Sequence, residues 1–134
     1  MKGIADTGFL VAFLNRRDRF HPWAVEIAAH VDVPLLTCEA VLAESAYHVR
    51  SSQRVLALLT SGLITLGFDL AASLSKVEAL ARGYADRTPD LADLYLICMS
   101  EDFPNHDVVT VDSDFLVYRR WQHEMIPTRM PPAD

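Results

Sequence analysis

Asp107-Val108-Val109-Thr110-Val111-Asp112-Ser113-Asp114 is the stretch on which the fold turns. Four β-branched residues in a row, Val108 to Val111, favour an extended strand, and a run this short between polar ends suits a strand buried on both faces. Asp112 and Asp114 follow it at once. At the other end of the chain Gly3-Ile4-Ala5 makes a second short apolar run, closed in the same way by Asp6. Between them, short apolar runs alternate with longer segments of helical period, the pattern of an α/β fold on a mainly parallel sheet. Ligands of such sheets bind at the carboxyl edge of the strands, which is where Asp6 and Asp112 sit.

Working outward, the pattern predicts strands at 2–5, 33–37, 63–67 and 107–111, with a fifth at 124–127. Helices are predicted over 7–16, 21–31, 38–50, 53–60, 69–84, 89–102 and 114–121. Pro22 suits a first helical turn, Ser51 or Ser52 caps the helix at 53–60, and Pro89 opens the one before Asp102. Pro127, Pro131 and Pro132 mark a strand end and an extended terminus. No repeat or linker interrupts the 134 residues, which suit one domain, 1–134.

Hydrophobic residues make up 51 % of the chain and the mean hydropathy is +0.14, ample for one core and high enough to suggest that a partner covers some apolar surface. No apolar run reaches the roughly 18 residues of a membrane span, and Met1-Lys2-Gly3-Ile4-Ala5-Asp6 lacks the pattern of a signal peptide. Cys38 and Cys98, both in apolar surroundings, are expected to be buried free thiols of a cytoplasmic protein. The net charge of −6 argues against a broad basic face for nucleic acid. It leaves room for an acidic site that holds cations, because bound metal inverts the local field.

Most acids fit turns and solvated faces; a few do not. Asp6 is either a helix cap or a site residue. Glu44 lies in Val41-Leu42-Ala43-Glu44-Ser45-Ala46-Tyr47, on a stripe where a charge needs a cation, strong hydrogen bonds, or an ion pair with Arg50 or Arg54. Asp93 stands in Leu91-Ala92-Asp93-Leu94-Tyr95-Leu96-Ile97, apolar nearly all round, with Asp90 one turn before it as a cap. Of Asp112 and Asp114, one is read as a turn-and-cap residue, most simply Asp114. Carboxylates gathered without a lysine repel one another, and hard, oxygen-seeking cations stabilise such groups.

At these residues the chain resembles the PIN-domain family, and within it the VapC-like toxins of toxin–antitoxin pairs. The resemblance covers almost the whole length and rests on Asp6-Thr7-Gly8, on Glu44 in the segment 41–45, on Asp90-Leu91-Ala92-Asp93 and on Thr110-Val111-Asp112-Ser113-Asp114-Phe115. It implies a three-layer α/β/α PIN-like fold with a central, mainly parallel sheet of four to five strands. It implies that Asp6, Glu44, Asp93 and Asp112 are the catalytic and metal-binding acids, with Asp114 and Asp90 auxiliary and the Thr7 and Thr110 hydroxyls supporting them. Mg²⁺ or Mn²⁺ would be the cofactor, and the activity hydrolysis of RNA phosphodiester bonds, transfer RNA being a frequent substrate. A homodimer and a cognate antitoxin would be the protein partners. The chain departs from the family at Leu94-Tyr95, where small residues are usual, which bears on pocket width.

Arg87, just before the Asp90 helix, and Arg119 and Arg120, after the Asp112 loop, are the candidate RNA contacts, although a surface ion pair is the alternative for each. Arg16, Arg17 and Arg19 are expected at the far end of a helix that runs away from the site. Phe20 and Trp23 are read as core or partner-facing. Neither the histidines nor the cysteines have zinc-site spacing. An aspartyl-phosphate enzyme, the competing chemistry, wants an acid where Gly8 stands and a nearby lysine, and the chain has only Lys2 and Lys76. A stand-alone or degenerate PIN domain that binds RNA or protein is the other alternative.

Overall fold

The computed structural model describes residues 1–133. Five strands, β1 (Gly3–Ala5), β2 (Leu35–Thr37), β3 (Ile64–Leu66), β4 (Asp107–Val109) and β7 (Thr128–Arg129), form one sheet in the order β3-β2-β1-β4-β7. All four pairings are parallel. Six helices flank it: α1 (Thr7–Leu14), α2 (His21–His30), α3 (Glu39–Val49), α4 (Ser52–Thr60), α5 (Leu70–Gly83) and α6 (Leu91–Asp102). The architecture is the α/β fold on a parallel sheet that the alternation of runs predicts, in a three-layer α/β/α arrangement. Among the described residues no helix is long and apolar enough to cross a membrane.

Four of these helices begin where a side-chain cap satisfies one of the first free N–H groups. Asp6 caps α1, Ser51 caps α4, Asp69 caps α5 and Asp90 caps α6. Ile4, Leu35, Ile64 and Val108 from the strands are fully buried and meet Phe9, Leu10, Leu96, Ile97 and Met99 from the helices. Ala92 and every residue from Leu94 to Ser100 is buried, so α6 is enclosed nearly all round, as its sequence requires. Cys38 and Cys98 are buried free thiols, and burial raises both to about 11, well out of the thiolate range near neutrality.

Two expectations are corrected near the carboxyl end. The helix predicted at 114–121 is a single 3₁₀ turn, Ser113–Leu116, followed by a small antiparallel hairpin of β5 (Arg119–Arg120) and β6 (Glu124–Met125). The fifth strand of the main sheet is Thr128–Arg129 rather than 124–127. Pro127 has no N–H for a ladder, and its carbonyl accepts from the Val108 N–H at 2.9 Å where the chain enters the sheet.

The strand order has one functional consequence. The chain moves from β1 through β2 to β3 on one side, then returns to lay β4 on the other side of β1. The carboxyl ends of β1 and β4 therefore flank a topological switch point.

Candidate metal centre

Parallel register carries the two strand-end acids to the same edge. Ala5 pairs with Val109, so the next residues, Asp6 and Thr110, emerge side by side. The Asp6 N–H donates to the Val109 carbonyl at 3.0 Å, and the Thr110 hydroxyl donates to Asp6 Oδ2 at 2.6 Å. Asp6 Oδ1 accepts the Thr7 N–H at 2.7 Å. Asp6 is thus a helix cap that also lines the cavity described below, with separate contacts for its two oxygens. Thr110 also accepts the Asp112 N–H at 2.9 Å, which fixes the turn that presents Asp112. Glu44 arrives from α3, its Oε2 accepting from the Thr7 hydroxyl at 3.2 Å.

Asp93 comes from the first turn of α6. Asp90 Oδ1 accepts the Asp93 N–H at 2.8 Å, as a capping residue should, and Tyr118 donates its phenol to Asp93 Oδ2 at 2.9 Å. Asp112 Oδ1 accepts the Asp114 N–H at 2.9 Å. The capping role expected of Asp114 therefore belongs to Asp112, and Asp114 stands exposed in the turn that Asp112 starts.

All of these acids line a single cavity of about 350 Å³: Asp6, Glu44, Asp90, Asp93, Asp112 and Asp114, together with Thr7, Arg87 and Tyr118. Arg87 is the one Lys or Arg side chain on its wall among the described residues. Neither Arg50 nor Arg54 pairs with Glu44 there; Arg54 donates instead to the Leu14 carbonyl.

Electrostatics follow from this crowding. Burial pushes the Asp6 carboxyl up to about 6, against the lowering hydrogen bonds from Thr110 and Thr7, and the charges of Asp112 and Glu44 raise it further. Burial likewise lifts Asp93 to about 7; Tyr118 opposes the change and Asp90, Asp6 and Asp112 add to it. Carboxylates held this way ionise at a cost to the fold, and a bound cation would offset that cost. The donor set suits one: it is all oxygen, and carboxylate oxygens of Asp93, Asp112 and Asp114 lie within 4.8 Å of one another. Hard divalent ions such as Mg²⁺ or Mn²⁺ take such ligands, whereas zinc favours nitrogen and sulfur.

The arginine expectations divide. Arg87 is exposed and on the cavity wall, as its position before α6 predicts. Arg120 is corrected to a structural residue: it is 7 % exposed, pairs with Glu124, and donates to the Ser100 and Pro104 carbonyls at 3.1 and 3.0 Å. Arg119 is corrected too. Its Nη1 donates to the carbonyls of Leu116, Val117 and Tyr118, each at 3.0 Å, so it caps the end of the 3₁₀ turn and faces a neighbouring cavity.

Leu94 and Tyr95 do not narrow the site. Both are buried, and Tyr95 stacks on Phe68 with ring centroids 4.5 Å apart. Lys76 pairs with Glu101 and Asp102 at 3.2 and 2.9 Å and lines a different cavity, so no lysine serves the acids.

One residue on the cavity wall that hydrogen-bonds an acid was not singled out from sequence. Tyr118 lies in an apolar run and gives no hint of its phenol's target; only the Phe115–Tyr118 spacing of three, which brings both rings inward, bears on it. Gly8 packs so closely on Val111 that a Cβ there would run into Val111 Cγ2. No protein-family profile matches the chain, and no curated protein is similar to it at a significant level.

Proposed function

We propose that the protein is a Mg²⁺- or Mn²⁺-dependent endoribonuclease of PIN-domain type, a hydrolase of RNA phosphodiester bonds. The observation that carries this reading is the meeting of six carboxylates from four chain segments in one cavity at the sheet's carboxyl edge, with one arginine and no lysine. Asp6, Glu44, Asp93 and Asp112 would hold the metal, with Asp114 and Asp90 auxiliary. A divalent ion held there would supply a water that gives up its proton readily enough to serve as the nucleophile, and charge to stabilise the leaving oxygen.

The chain's own residues prepare the site for that ion. Thr110 and Thr7 fix the two oxygens of Asp6, Thr7 also holds Glu44, and Tyr118 orients Asp93. Arg87 is the cation on the wall available to a substrate phosphate. Gly8 stands where an aspartyl-phosphate enzyme wants its second acid, and the lysines lie elsewhere, so hydrolysis by a metal-held water fits better than a phospho-enzyme.

A cytoplasmic role as the toxin of a toxin–antitoxin pair, working as a homodimer and silenced by its antitoxin, completes the proposal. It is supported by the motif resemblance and by exposed apolar side chains such as Leu56, Leu91 and Met125, which are 56 to 59 % exposed.

The test is cleavage of a fluorophore–quencher RNA by the full chain. Activity should require Mg²⁺ or Mn²⁺, disappear with EDTA, and fall at least about 100-fold in Asp93→Asn and Asp112→Asn chains that melt cooperatively. Undiminished cleavage in both variants refutes the site. Absence of divalent-metal binding by calorimetry would point instead to a degenerate domain that only binds RNA or protein.

A further inference from the structure

We infer that a pocket between the carboxyl ends of α1 and α3 holds the phosphodiester backbone of the RNA strand that enters the acidic cavity, an inference that rests on the ribonuclease reading. The pocket has a volume of about 490 Å³, and Arg16, Arg17, His48, Arg50 and Arg54 line it together with Asn15. No acid is on its wall. In a chain of net charge −6, four of the ten arginines gathered without a carboxylate run against the overall balance.

Helix dipoles explain part of this. The carboxyl ends of helices carry partial negative charge, and Arg54 answers it by donating to the Leu14 carbonyl. Arg16, Arg17 and Arg50 are different. They lie beyond the helix ends, are exposed, and pair with no carboxylate among the described residues. Arg50 occupies the left-handed position that ends α3, with φ of 57°, a place that favours glycine or asparagine. Planar guanidinium groups brought together with nothing to neutralise them suit phosphate oxygens, which they bind in bidentate fashion.

The same two helices join this pocket to the acidic cavity. Thr7 and Gly8, at the start of α1, line the cavity, and Leu14 and Asn15, at its end, line the pocket. On α3, Glu44 lines the cavity and His48, one turn on and along the same face, lines the pocket. At 1.5 Å per residue the separation along α1 is about 10 Å, which a stacked strand at about 3.4 Å per nucleotide covers in about three steps. Tyr47, 79 % exposed and edge-on to His48, lies between Glu44 and His48 in the sequence of α3 and offers a π-face to a base. That aromatic step favours a nucleic-acid strand over an acidic peptide. Arg16 and Arg17 lie off the acidic cavity, as expected of them, and this inference adds a role in holding the strand.

The test uses the full chain carrying Asp6→Asn, so that RNA is bound without being cut, and reads fluorescence anisotropy against salt. Arg16→Gln, Arg17→Gln and Arg50→Gln together should weaken binding of a single strand of about 12 nucleotides by at least about 10-fold and reduce the salt slope by about 2. A dinucleotide, too short to span the about 10 Å to the pocket, should bind equally well to both chains. Lysine at the three positions should restore most of the affinity and exclude a folding defect, and Arg82→Gln should change nothing. Unchanged affinity and slope for the longer strand overturn the inference. So does a cluster needed by an oligoglutamate peptide but not by RNA.

Cleavage by the chain with Asp6 intact separates the two proposals. RNA affinity that depends on the cluster, without cleavage in Mn²⁺, removes the nuclease and keeps the pocket; cleavage indifferent to the three substitutions does the reverse.

Discussion

Asp6→Asn should stabilise the metal-free protein while abolishing its proposed activity. Asp6 is 7 % exposed, and its carboxyl is lifted from 3.8 to about 6, chiefly by burial. At about 1.4 kcal/mol for each tenfold change, keeping it ionised in the fold costs about 3 kcal/mol. Asparagine removes the charge, and its side-chain oxygen still accepts the Thr7 N–H. Its amide meets the Thr110 oxygen, and the Thr110 hydroxyl loses its acceptor, at a cost of about 1 kcal/mol. The balance is a gain of about 2 kcal/mol. A chain of 134 residues unfolds with an entropy of roughly 0.3 kcal/mol per kelvin, so the Tm should rise by about 7 °C.

The gain shrinks with acidity in a defined way. A carboxyl whose folded pKa is raised lowers stability above that pKa, and the penalty disappears as pH falls from about 6 towards 3.8. The advantage of the asparagine chain should therefore be full at pH 8 and nearly gone at pH 4. Scanning calorimetry in EDTA at both values measures it. A variant less stable than the parent at pH 8, or one whose advantage is the same at both pH values, refutes the argument that Asp6 is held against its charge.

Two further outcomes follow from the same geometry. Tyr118→Phe removes the hydrogen bond to Asp93 Oδ2 but keeps the ring against Phe115 and Tyr84; it should lower kcat about 10-fold with little change in KM, and should raise the pH needed to ionise Asp93, seen by carboxyl-carbon NMR. Gly8→Ala drives a methyl group into Val111 and should cost about 1–3 kcal/mol in urea unfolding; Val111→Ala in the same chain should recover most of that loss, and a strictly additive pair would show that the two do not touch.

The parts of the fold that could be read from sequence are those whose determinants are local. Asp6, Ser51 and Asp90 mark helix starts because each caps with its own side chain, and the β-branched run at 108–111 can only be extended. Asp6, Asp93 and Asp112 stood out because a charge beside a buried strand end or within α6 conflicts with its surroundings, and Glu44 because it lies on an apolar stripe of α3; Asp90 and Asp114 read as caps, and only the family resemblance tied them to the others. What failed depends on contacts between distant segments. After Asp112, Phe115 and Tyr118 must both face inward, a spacing of three that suits one 3₁₀ turn better than a continued helix. Arg120 looked like a surface cation beside the site, yet the carbonyls of Ser100 and Pro104, on a separate segment, claim it. Tyr118 was invisible for the same reason: its partner lies 25 residues away.

The separation of 104 residues between Asp6 and Thr110 governs when the site comes into being during synthesis. A nascent chain that has emerged from the ribosome as far as α6 already carries Asp6, Glu44, Asp90 and Asp93. It lacks the neighbour that flanks β1, the hydroxyl that holds Asp6, and the two remaining acids. Docking of β4 supplies all of these in one event, so a chain arrested before that point has no complete cavity. Under the proposed function, the order of synthesis keeps the acids from acting on the transcript and ribosome until β4 is in place.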